Sequence, residues 1–310
     1  MLRSNEVKVA ATNYVTALPP TFNKLVKQLP VMLKAGAFTG SGVIASRLDD
    51  RVLVITAKHN IKINYKRHRQ NVDGVMDATT YFKRGMQVKV WYTDPHDAER
   101  NESAEAGIDE IVFFDNTVDL GKGYDVIGLV IKDEEFLAVT DKILSLASVW
   151  GGKRKRIFPL VMDTGELCGN SGEMVDAYLL QVGFGKTQKN AMDAGGTLQH
   201  RATKNVRNLV TYLAEDHSGS SQMVVYAATD TNSTWEGDSG GPCFVISRDK
   251  KKLWLLGVNL GSNFYANKTD DEDDSLIENN AVTVLNADVE KWLLKQMNMK
   301  VTLQRKHGLI

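Results

Sequence analysis

The chain has 310 residues, of which 43% are hydrophobic, so it can bury one large core or two moderate ones. Its 38 Lys and Arg residues balance 38 Asp and Glu residues, which excludes a global field that would steer it to nucleic acid or to an anionic membrane. The only cysteines, Cys168 and Cys243, are too few for a disulfide-rich secreted domain and are typical of a reducing compartment, although one bridge between them stays open.

The N-terminal residues contain no apolar run long enough for a signal-peptide core. No later stretch approaches the roughly 18 apolar residues of a membrane-spanning helix. We therefore expect no membrane span, and either a cytoplasmic location or export by a route that needs no signal peptide. The sequence does not indicate an oligomeric state.

Residues 1–35 are predicted to be an N-terminal extension with one short helix. Leu25, Val26 and Leu29 recur at helical spacing after the break at Pro19 and Pro20. We expect this helix to pack against the first domain.

Two β-rich runs follow, GAFTGSGVIAS and RVLVITA, joined by the polar connection 47–50. This pattern predicts a β-hairpin. The second strand leads into His59, which could face a neighbouring loop from the end of a buried strand. By itself, such a histidine would equally well be an ordinary surface residue.

Residues 61–109 are long and polar. The basic run within 62–69 and the mixed-charge segment 96–107 are both predicted to be solvated loops, and QVKVWYT (87–93) between them alternates like a strand. Asp125 then begins the apolar run DVIGLVI. A carboxylate at the head of a buried strand requires a hydrogen-bond partner or an opposite charge. Asp115 and Asp119, in a more turn-like stretch, are the alternatives for this role.

The chain beyond residue 131 contains further predicted strands, a connection and a helix. Residues 132–177 form a connection with a basic cluster at 153–156, which could bind anions but is more typical of a solvated linker. Strands are predicted at 178–187 and 222–230, and a hairpin joins 243–247 to 253–260. After the acidic loop 270–274, residues 281–297 are predicted to form a strand and then a helix.

The string GDSGGP at 237–242 carries the clearest chemistry. Its glycines allow a tight turn in which main-chain N–H groups crowd against a reacting atom. If Ser239 attacks a carbonyl, the amides of Gly237 and Ser239 could bind the oxygen that becomes negative, forming an oxyanion hole. The alternative is a simple glycine turn between two strands.

These motifs resemble those of the trypsin-like serine proteases of the chymotrypsin fold. The string GDSGGP matches the family's nucleophile motif at all six positions, TAKH at 56–59 resembles TAAH, DVIGL at 125–129 resembles DIALL, and VGFGKT at 182–187 resembles the G-W-G-x-T strand. The resemblance implies an all-β fold of two six-stranded antiparallel β-barrels around a cleft, with a C-terminal helix. The implied boundaries are 1–35 for the extension, 36–135 for the first barrel, 136–177 for the connection, 178–285 for the second barrel and 286–310 for the helix and tail.

The resemblance further implies a serine endopeptidase that needs no metal or cofactor and acts on a protein or peptide. Ser239 would be the nucleophile, His59 the general base and Asp125 the group that orients His59, in the chain order of chymotrypsin-like enzymes. A catalytically silent interaction module of the same fold and an esterase using the same serine are the alternatives. Nucleic acid is not an expected partner, because neither basic cluster is interleaved with aromatic residues.

Four departures from the family pattern qualify the expected specificity and activation. Ser233 stands where trypsin-type enzymes carry an aspartate, so a strict Arg or Lys preference is not expected. The other predicted substrate-binding residues are Gly261, Ser262 and Asn280, the last standing where the family has a glycine. No activation sequence precedes residue 36, which suggests that Asp238 does not pair with a new N-terminus and either finds another hydrogen-bond partner or remains solvated. Asn60 replaces the family's cysteine after the histidine.

Overall fold

The computed structural model describes residues 15–35, 38–48, 50–60, 75–77, 86–93, 101–114, 125–145, 156–157, 177–186, 198–204, 210–213, 222–227, 234–247, 249–251, 253–262, 279–285, 289, 291–292 and 295. This part of the chain is mostly β-structure. Two helices are described over their whole length, α1 (Pro20–Gln28) and α2 (Glu134–Leu144), and Lys58–Asn60 forms a 3-10 turn. Its strands are β1 (Pro30–Ala35), β2 (Phe38–Arg47), β3 (Val52–Thr56), β4 (Val75–Asp77), β5 (Gln87–Thr93), β6 (Asn101–Gly107), β7 (Glu110–Phe113), β8 (Ile127–Ile131), β9 (Arg156–Ile157), β10 (Ala177–Gly183), β11 (Gln199–Lys204), β12 (Val210–Leu213), β13 (Gln222–Ala227), β14 (Pro242–Ser247), β15 (Leu253–Ser262) and β16 (Asn279–Val284).

The first sheet is antiparallel and has the order β4-β7-β8-β3-β2-β1-β5-β6, with β9 paired to β2. Only Ile108 and Asp109 separate β6, at one end of this order, from β7, near the other end. The N–H of Asp109 donates to the carbonyl of Val130 on β8 at 2.9 Å. The sheet must therefore curl, because the two-residue segment 108–109 connects strands that lie at or near its opposite edges.

The second sheet is also antiparallel and has the order β11-β10-β14-β15-β16-β13-β12. Its register shifts between Cys243 and Phe244 and again between Asn259 and Gly261. Such irregularities bend strands and re-aim the residues next to them. The first shift directly follows the 237–242 segment in sequence. The second lies on β15, the strand that pairs with β14.

The two curled antiparallel sheets confirm the mostly β expectation and are compatible with a chymotrypsin-like fold. The predicted six strands in each half are wrong for the described residues, which form sheets of nine and seven strands with no pairing that closes either one. Residues 30–35, assigned to the extension, are β1 of the first sheet. Of the predicted C-terminal helix, residues 289, 291, 292 and 295 are described, and all four are helical.

β6 corrects the prediction of a loop at 96–107. Residues 101–107 pair with β5 along its whole length, from Thr93 to Gln87. Ala104 and Ala106 are buried while Ser103 and Glu105 are exposed, so the segment does alternate with the period of a strand. Its buried side chains are alanines, which have low β-propensity, and this hid the alternation.

Helix α2 also differs from the predicted connection over 136–177. Asp133 caps it, because a carboxylate oxygen of Asp133 accepts a hydrogen bond from the N–H of Phe136 at 2.8 Å. Its apolar face buries Phe136, Ile143 and Leu144 and packs against β2, β3, β5 and β6. Helix α1, in contrast, confirms the predicted N-terminal helix and buries Leu25 and Val26.

The residues that precede the site are firmly fixed. Every residue of β3 and β8 is buried, and these two strands pair along their full length. Burying one such aliphatic side chain contributes roughly 1.5–3 kcal/mol, so the end of β3 is a rigid platform. The sheets meet where β1 and β2 pack against β10 and β2 packs against β14. Trp91 and Phe184 stack there, with ring centroids 5.1 Å apart. None of the described helices is both long enough and apolar enough to cross a membrane.

Candidate active site

His59 lies on the 3-10 turn that follows β3 and contacts Asp125, which lies two positions before the start of β8. The N–H of His59 donates to Asp125 Oδ1 at 2.9 Å, and His59 Nδ1 is 2.7 Å from Asp125 Oδ2. The pairing of β3 with β8 brings these two residues together although they are 66 positions apart. A proton on Nδ1 directed at the carboxylate leaves Nε2 as the acceptor, which is the tautomer a general base requires.

The electrostatics of this pair favour a protonated imidazole. Burial lowers the pKa of His59, but the hydrogen bond and the charge of Asp125 together outweigh it, so the pKa lies above its ordinary value of 6.5. The imidazole is 39% exposed and the carboxylate 20%. The ring is therefore accessible to a reacting group, while the carboxylate behind it is more protected.

The 237–242 segment forms a tight loop that depends on two left-handed glycines. Gly237 has φ +96° and Gly240 has φ +80°, a region that residues with a β-carbon rarely adopt. A β-carbon at position 240 would overlap Thr56 Oγ1 and the carbonyl oxygen of Ser41. The missing side chain lets the loop press against the end of β3.

The carbonyl oxygens at 236–239 all accept hydrogen bonds, which fixes the orientation of four successive peptide groups. The donors are, in chain order, Lys186 N at 2.9 Å, Ser41 Oγ at 2.7 Å, Gly241 N at 3.0 Å and, for the last oxygen, both Ser41 N at 3.1 Å and Asn60 Nδ2 at 2.7 Å. A peptide group held by its oxygen cannot rotate without breaking that bond, so the directions of the loop N–H groups are also fixed.

The N–H groups of the loop divide into two sets. Those of Asp238, Gly240 and Gly241 donate to backbone carbonyls within 3.0 Å. For the N–H groups of Gly237 and Ser239, the described residues supply no acceptor. These two N–H groups, one on Gly237 and one on Ser239 itself, have fixed directions and can bind a developing oxyanion.

Ser41, on β2, joins the first sheet to this loop. The side chain is fully buried. Its Oγ donates to the carbonyl of Gly237 at 2.7 Å and accepts from the N–H of Phe184 at 2.8 Å, and its own N–H donates to the carbonyl of Ser239. In the sequence, Ser41 stands out only as part of the β-rich run GAFTGSGVIAS. A serine between two glycines in a buried strand is the signal that could have identified it.

Asn60 makes a second connection between the sheets. Its Nδ2 donates to the carbonyl of Ser239 at 2.7 Å and to Thr56 Oγ1 at 3.0 Å, and lies 3.5 Å from the carbonyl of Ser41. From the sequence, Asn60 is recognisable only as a departure from the family pattern. Its replacement of a cysteine next to His59 was the available signal.

Asp238 is fully buried and supports the loop from the second sheet. Its Oδ1 accepts from the N–H of Gly185 at 2.9 Å, and its Oδ2 accepts from the N–H of Trp235 at 2.8 Å. A β-carbon at Gly183 or Gly185 would collide with this aspartate. The carboxylate thus has backbone partners of its own. Residues 1–14 lie outside the described residues, so the absence of an activation switch stays a prediction.

The nucleophile candidate is not bonded to its base candidate. Ser239 Oγ donates to the carbonyl of Leu260 at 3.4 Å. Among the contacts of the described residues, no hydrogen bond joins Ser239 to the ring of His59. Catalytic hydrogen bonds often tighten only when a substrate is bound, and a rotation about χ1 of Ser239 would redirect its hydroxyl.

Three of the four predicted substrate-binding residues lie on neighbouring strands. Gly261 and Ser262 are on β15, and Asn280 on β16 pairs with Ser262. Leu260, whose carbonyl contacts Ser239, directly precedes them. Ser233 lies outside the described residues, so its role stays a prediction.

Several other predicted features also fall outside the described residues: Asp115, Asp119, the basic run 62–69, the cluster residues 153–155, the acidic loop 270–274 and Cys168. Cys243 is a free thiol, so the bridge to Cys168 is not formed. Burial raises the pKa of the Cys243 thiol. Within the described ranges, no group of three or more His, Cys, Asp or Glu residues could hold a metal ion.

Comparisons with known proteins supply no family assignment. No model of a known protein family matches the chain, and no curated protein matches it. The functional interpretation therefore depends on the motifs and on the geometry of the site.

Proposed function

We propose that this protein is a serine endopeptidase with a divergent chymotrypsin-like fold. One observation carries the proposal: the turn Lys58–Asn60 binds both halves of the site, because His59 binds Asp125 and the adjacent Asn60 binds the carbonyl of Ser239. This brings a histidine and carboxylate pair next to the loop that contains GDSGGP.

In the proposed reaction, Ser239 Oγ attacks the carbonyl carbon of a peptide bond and transfers its proton to His59 Nε2. Asp125 stabilises the imidazolium ion, and the N–H groups of Gly237 and Ser239 bind the tetrahedral oxyanion. His59 then gives the proton to the leaving amine. A water molecule activated by His59 hydrolyses the acyl-enzyme, which restores the serine.

The proposed substrate is a protein or peptide that binds along Gly261, Ser262 and Asn280. The residue at position 233 is a serine and carries no charge. A pocket without a carboxylate does not compensate for the desolvation of a basic side chain. We therefore propose that the enzyme has no strict preference for Arg or Lys before the cleaved bond.

A catalytically silent module of the same fold is the second candidate. The hydrogen bond of Ser239 Oγ to the carbonyl of Leu260, in place of one to His59, favours it. An esterase would use the same serine, but no contact in the site favours ester over peptide substrates.

Labelling of the purified protein by a fluorophosphonate tests the proposal. We expect the wild type to be labelled, Ser239→Ala and His59→Ala to lose the label, and Ser103→Ala, which removes an exposed hydroxyl on β6, to retain it. A wild type that resists labelling while folded would support the silent module. Cleavage of esters without cleavage of any peptide in a mixed library would support the esterase.

A further inference from the structure

We infer that Asn60 is a positioning residue, which holds the peptide group after Ser239 and so sets the direction of the nucleophile relative to His59. This inference rests on the proposed function for its catalytic consequence. Its structural part, the restraint of the loop by Asn60, is independent of catalysis.

The peptide group between Ser239 and Gly240 is held from both sheets. Its oxygen accepts from Asn60 Nδ2 at 2.7 Å and from the N–H of Ser41 at 3.1 Å, both in the first sheet region. Its N–H donates to the carbonyl of Asn259 on β15 at 2.7 Å. Asn259 is itself fully buried. This one peptide group therefore connects the two sheets.

Holding this peptide group also constrains the side chain of Ser239. The orientation of the plane fixes ψ of Ser239, and the Cβ–Oγ vector follows from the backbone together with χ1. Gly240 has φ +80° and offers little resistance to rotation of its own, because glycine is permissive. The hydrogen bond from Asn60, beside those that join Ser41 and Asn259 to this peptide group, is therefore a restraint on the direction of the nucleophile.

Asn60 is well suited to be that restraint because it follows His59 directly in the 3-10 turn. Asp125 fixes His59 on one side of the turn, and Asn60 binds Ser239 on the other. Because His59 and Asn60 are neighbours in the chain, the bond from Asn60 to Ser239 sets the distance between the base and the nucleophile. The Asn60 side chain is 4% exposed, so water does not compete for its bonds.

An amide has a specific advantage at this position. Its two N–H donors can serve the carbonyl of Ser239 and Thr56 Oγ1 together. The amide also does not titrate, so the restraint is the same at every pH at which the protein is folded. A thiol at this position would be only a weak donor.

Asn60→Ala and Asn60→Leu test the inference, since leucine fills the volume of asparagine without a donor. The matched control is Asn23→Ala, which removes an amide-to-carbonyl hydrogen bond of 2.6 Å to Val15, in the α1 region. We expect hydrogen exchange of the Gly240 and Gly241 amides to accelerate about 10-fold or more in both Asn60 variants but not in the control.

The catalytic consequence is measured as the rate of fluorophosphonate labelling against pH. We expect both Asn60 variants to lower the maximum rate by about 10- to 100-fold, as small displacements of reacting groups do, with the pH midpoint unchanged because His59 and Asp125 are intact. Exchange rates equal to the wild type in both variants, or full recovery of labelling by leucine, would overturn the inference. If the wild type is not labelled, the proposed function fails, while the exchange rates still decide whether Asn60 holds the loop.

Discussion

The two halves of the candidate site are held in different ways. The base half is a single pair of titratable side chains, His59 and Asp125, and its imidazole is 39% exposed. The nucleophile half, 236–241, is held by hydrogen bonds to four successive carbonyl oxygens and by two backbone bonds to Asp238. Chemical changes to the base half should therefore alter reactivity with little effect on the fold. Changes to the nucleophile half should alter both.

The largest expected effect is on the rate in Asp125→Asn. An asparagine can still accept from the N–H of His59, but it no longer enforces the tautomer that leaves Nε2 free. We expect a loss of about 10⁴-fold in the labelling or hydrolysis rate. The free energy of unfolding should change by only about 1 kcal/mol. Stopped-flow or continuous assays and urea unfolding measure the two quantities.

The matched control for this variant is Asp133→Asn at the cap of α2. Asparagine is a comparable cap, so stability and rate should both stay near the wild type. A large loss of stability in Asp125→Asn would contradict the contrast between the halves, because the base half would then be a structural element.

The next largest effect is on stability in Gly240→Ala. The left-handed φ of +80° and the overlap with Thr56 Oγ1 both oppose a β-carbon. We expect a loss of roughly 3 kcal/mol or more in the free energy of unfolding, together with the loss of labelling.

Gly107→Ala is the control for that substitution, because nothing lies within 4 Å of a β-carbon built at position 107. Replacing an unstrained glycine reduces the entropy of the unfolded chain and should stabilise the protein by about 0.5 kcal/mol. Equal urea midpoints for the two variants would show that the nucleophile loop is not the constrained half.

A smaller effect is expected from pH, and it acts on the base half. The pKa of His59 is raised above 6.5 in the folded protein. The paired, protonated imidazole therefore contributes stability that is fully present below the unfolded pKa of about 6.5 and is lost as the pH rises through the folded pKa. Reactivity needs the neutral ring, so it should rise over that same interval.

Labelling rates and thermal unfolding measured between about pH 5 and pH 9 test whether reactivity rises while stability falls with increasing pH. In His59→Ala, which we expect not to be labelled, the contribution of this residue to the pH dependence of thermal unfolding should disappear. If reactivity rose entirely below pH 6.5, the pKa of His59 would not be raised by Asp125.

The smallest effect should come from a charge pair outside the site. Lys142 Nζ on α2 is 2.7 Å from Glu102 Oε2 on β6, and both residues lie at the surface of the first sheet. We expect Lys142→Ala to cost less than about 1 kcal/mol, with no change in labelling rate. Urea unfolding at low and high salt measures it, and the difference should shrink with salt. A loss of labelling would show that α2 communicates with the site.

The strands that the sequence predicted correctly have strong local signals. β3 and β5 are rich in β-branched and aromatic residues, and the hairpin of β14 and β15 is bounded by a polar turn. β6 was not predicted because alanines form its buried face. Helix α2 was not predicted although Asp133, Phe136 and Ile143 supply a cap and a helical spacing. A local signal for a helix was thus present, but the resemblance to the chymotrypsin fold implied a connection between the two barrels over these residues.

The partners of the residues that bind the loop could not have been found from local patterns. Asn60 and Ser239 are 179 positions apart, and Ser41 and Gly237 are 196 positions apart. Their bonds exist only because two curled sheets meet at the end of β3. Sequence motifs identify the candidate reacting residues, whereas the residues that hold them depend on the packing of distant strands.

The free thiol of Cys243 has a consequence for how the protein reaches its native state. With only two cysteines in the chain and one of them unpaired, no intrachain disulfide holds the two sheets together. Amide and hydroxyl groups of Asn60 and Ser41 connect them instead. The native state can thus form without an oxidative folding step, and excess dithiothreitol should leave refolding of the chain unaffected.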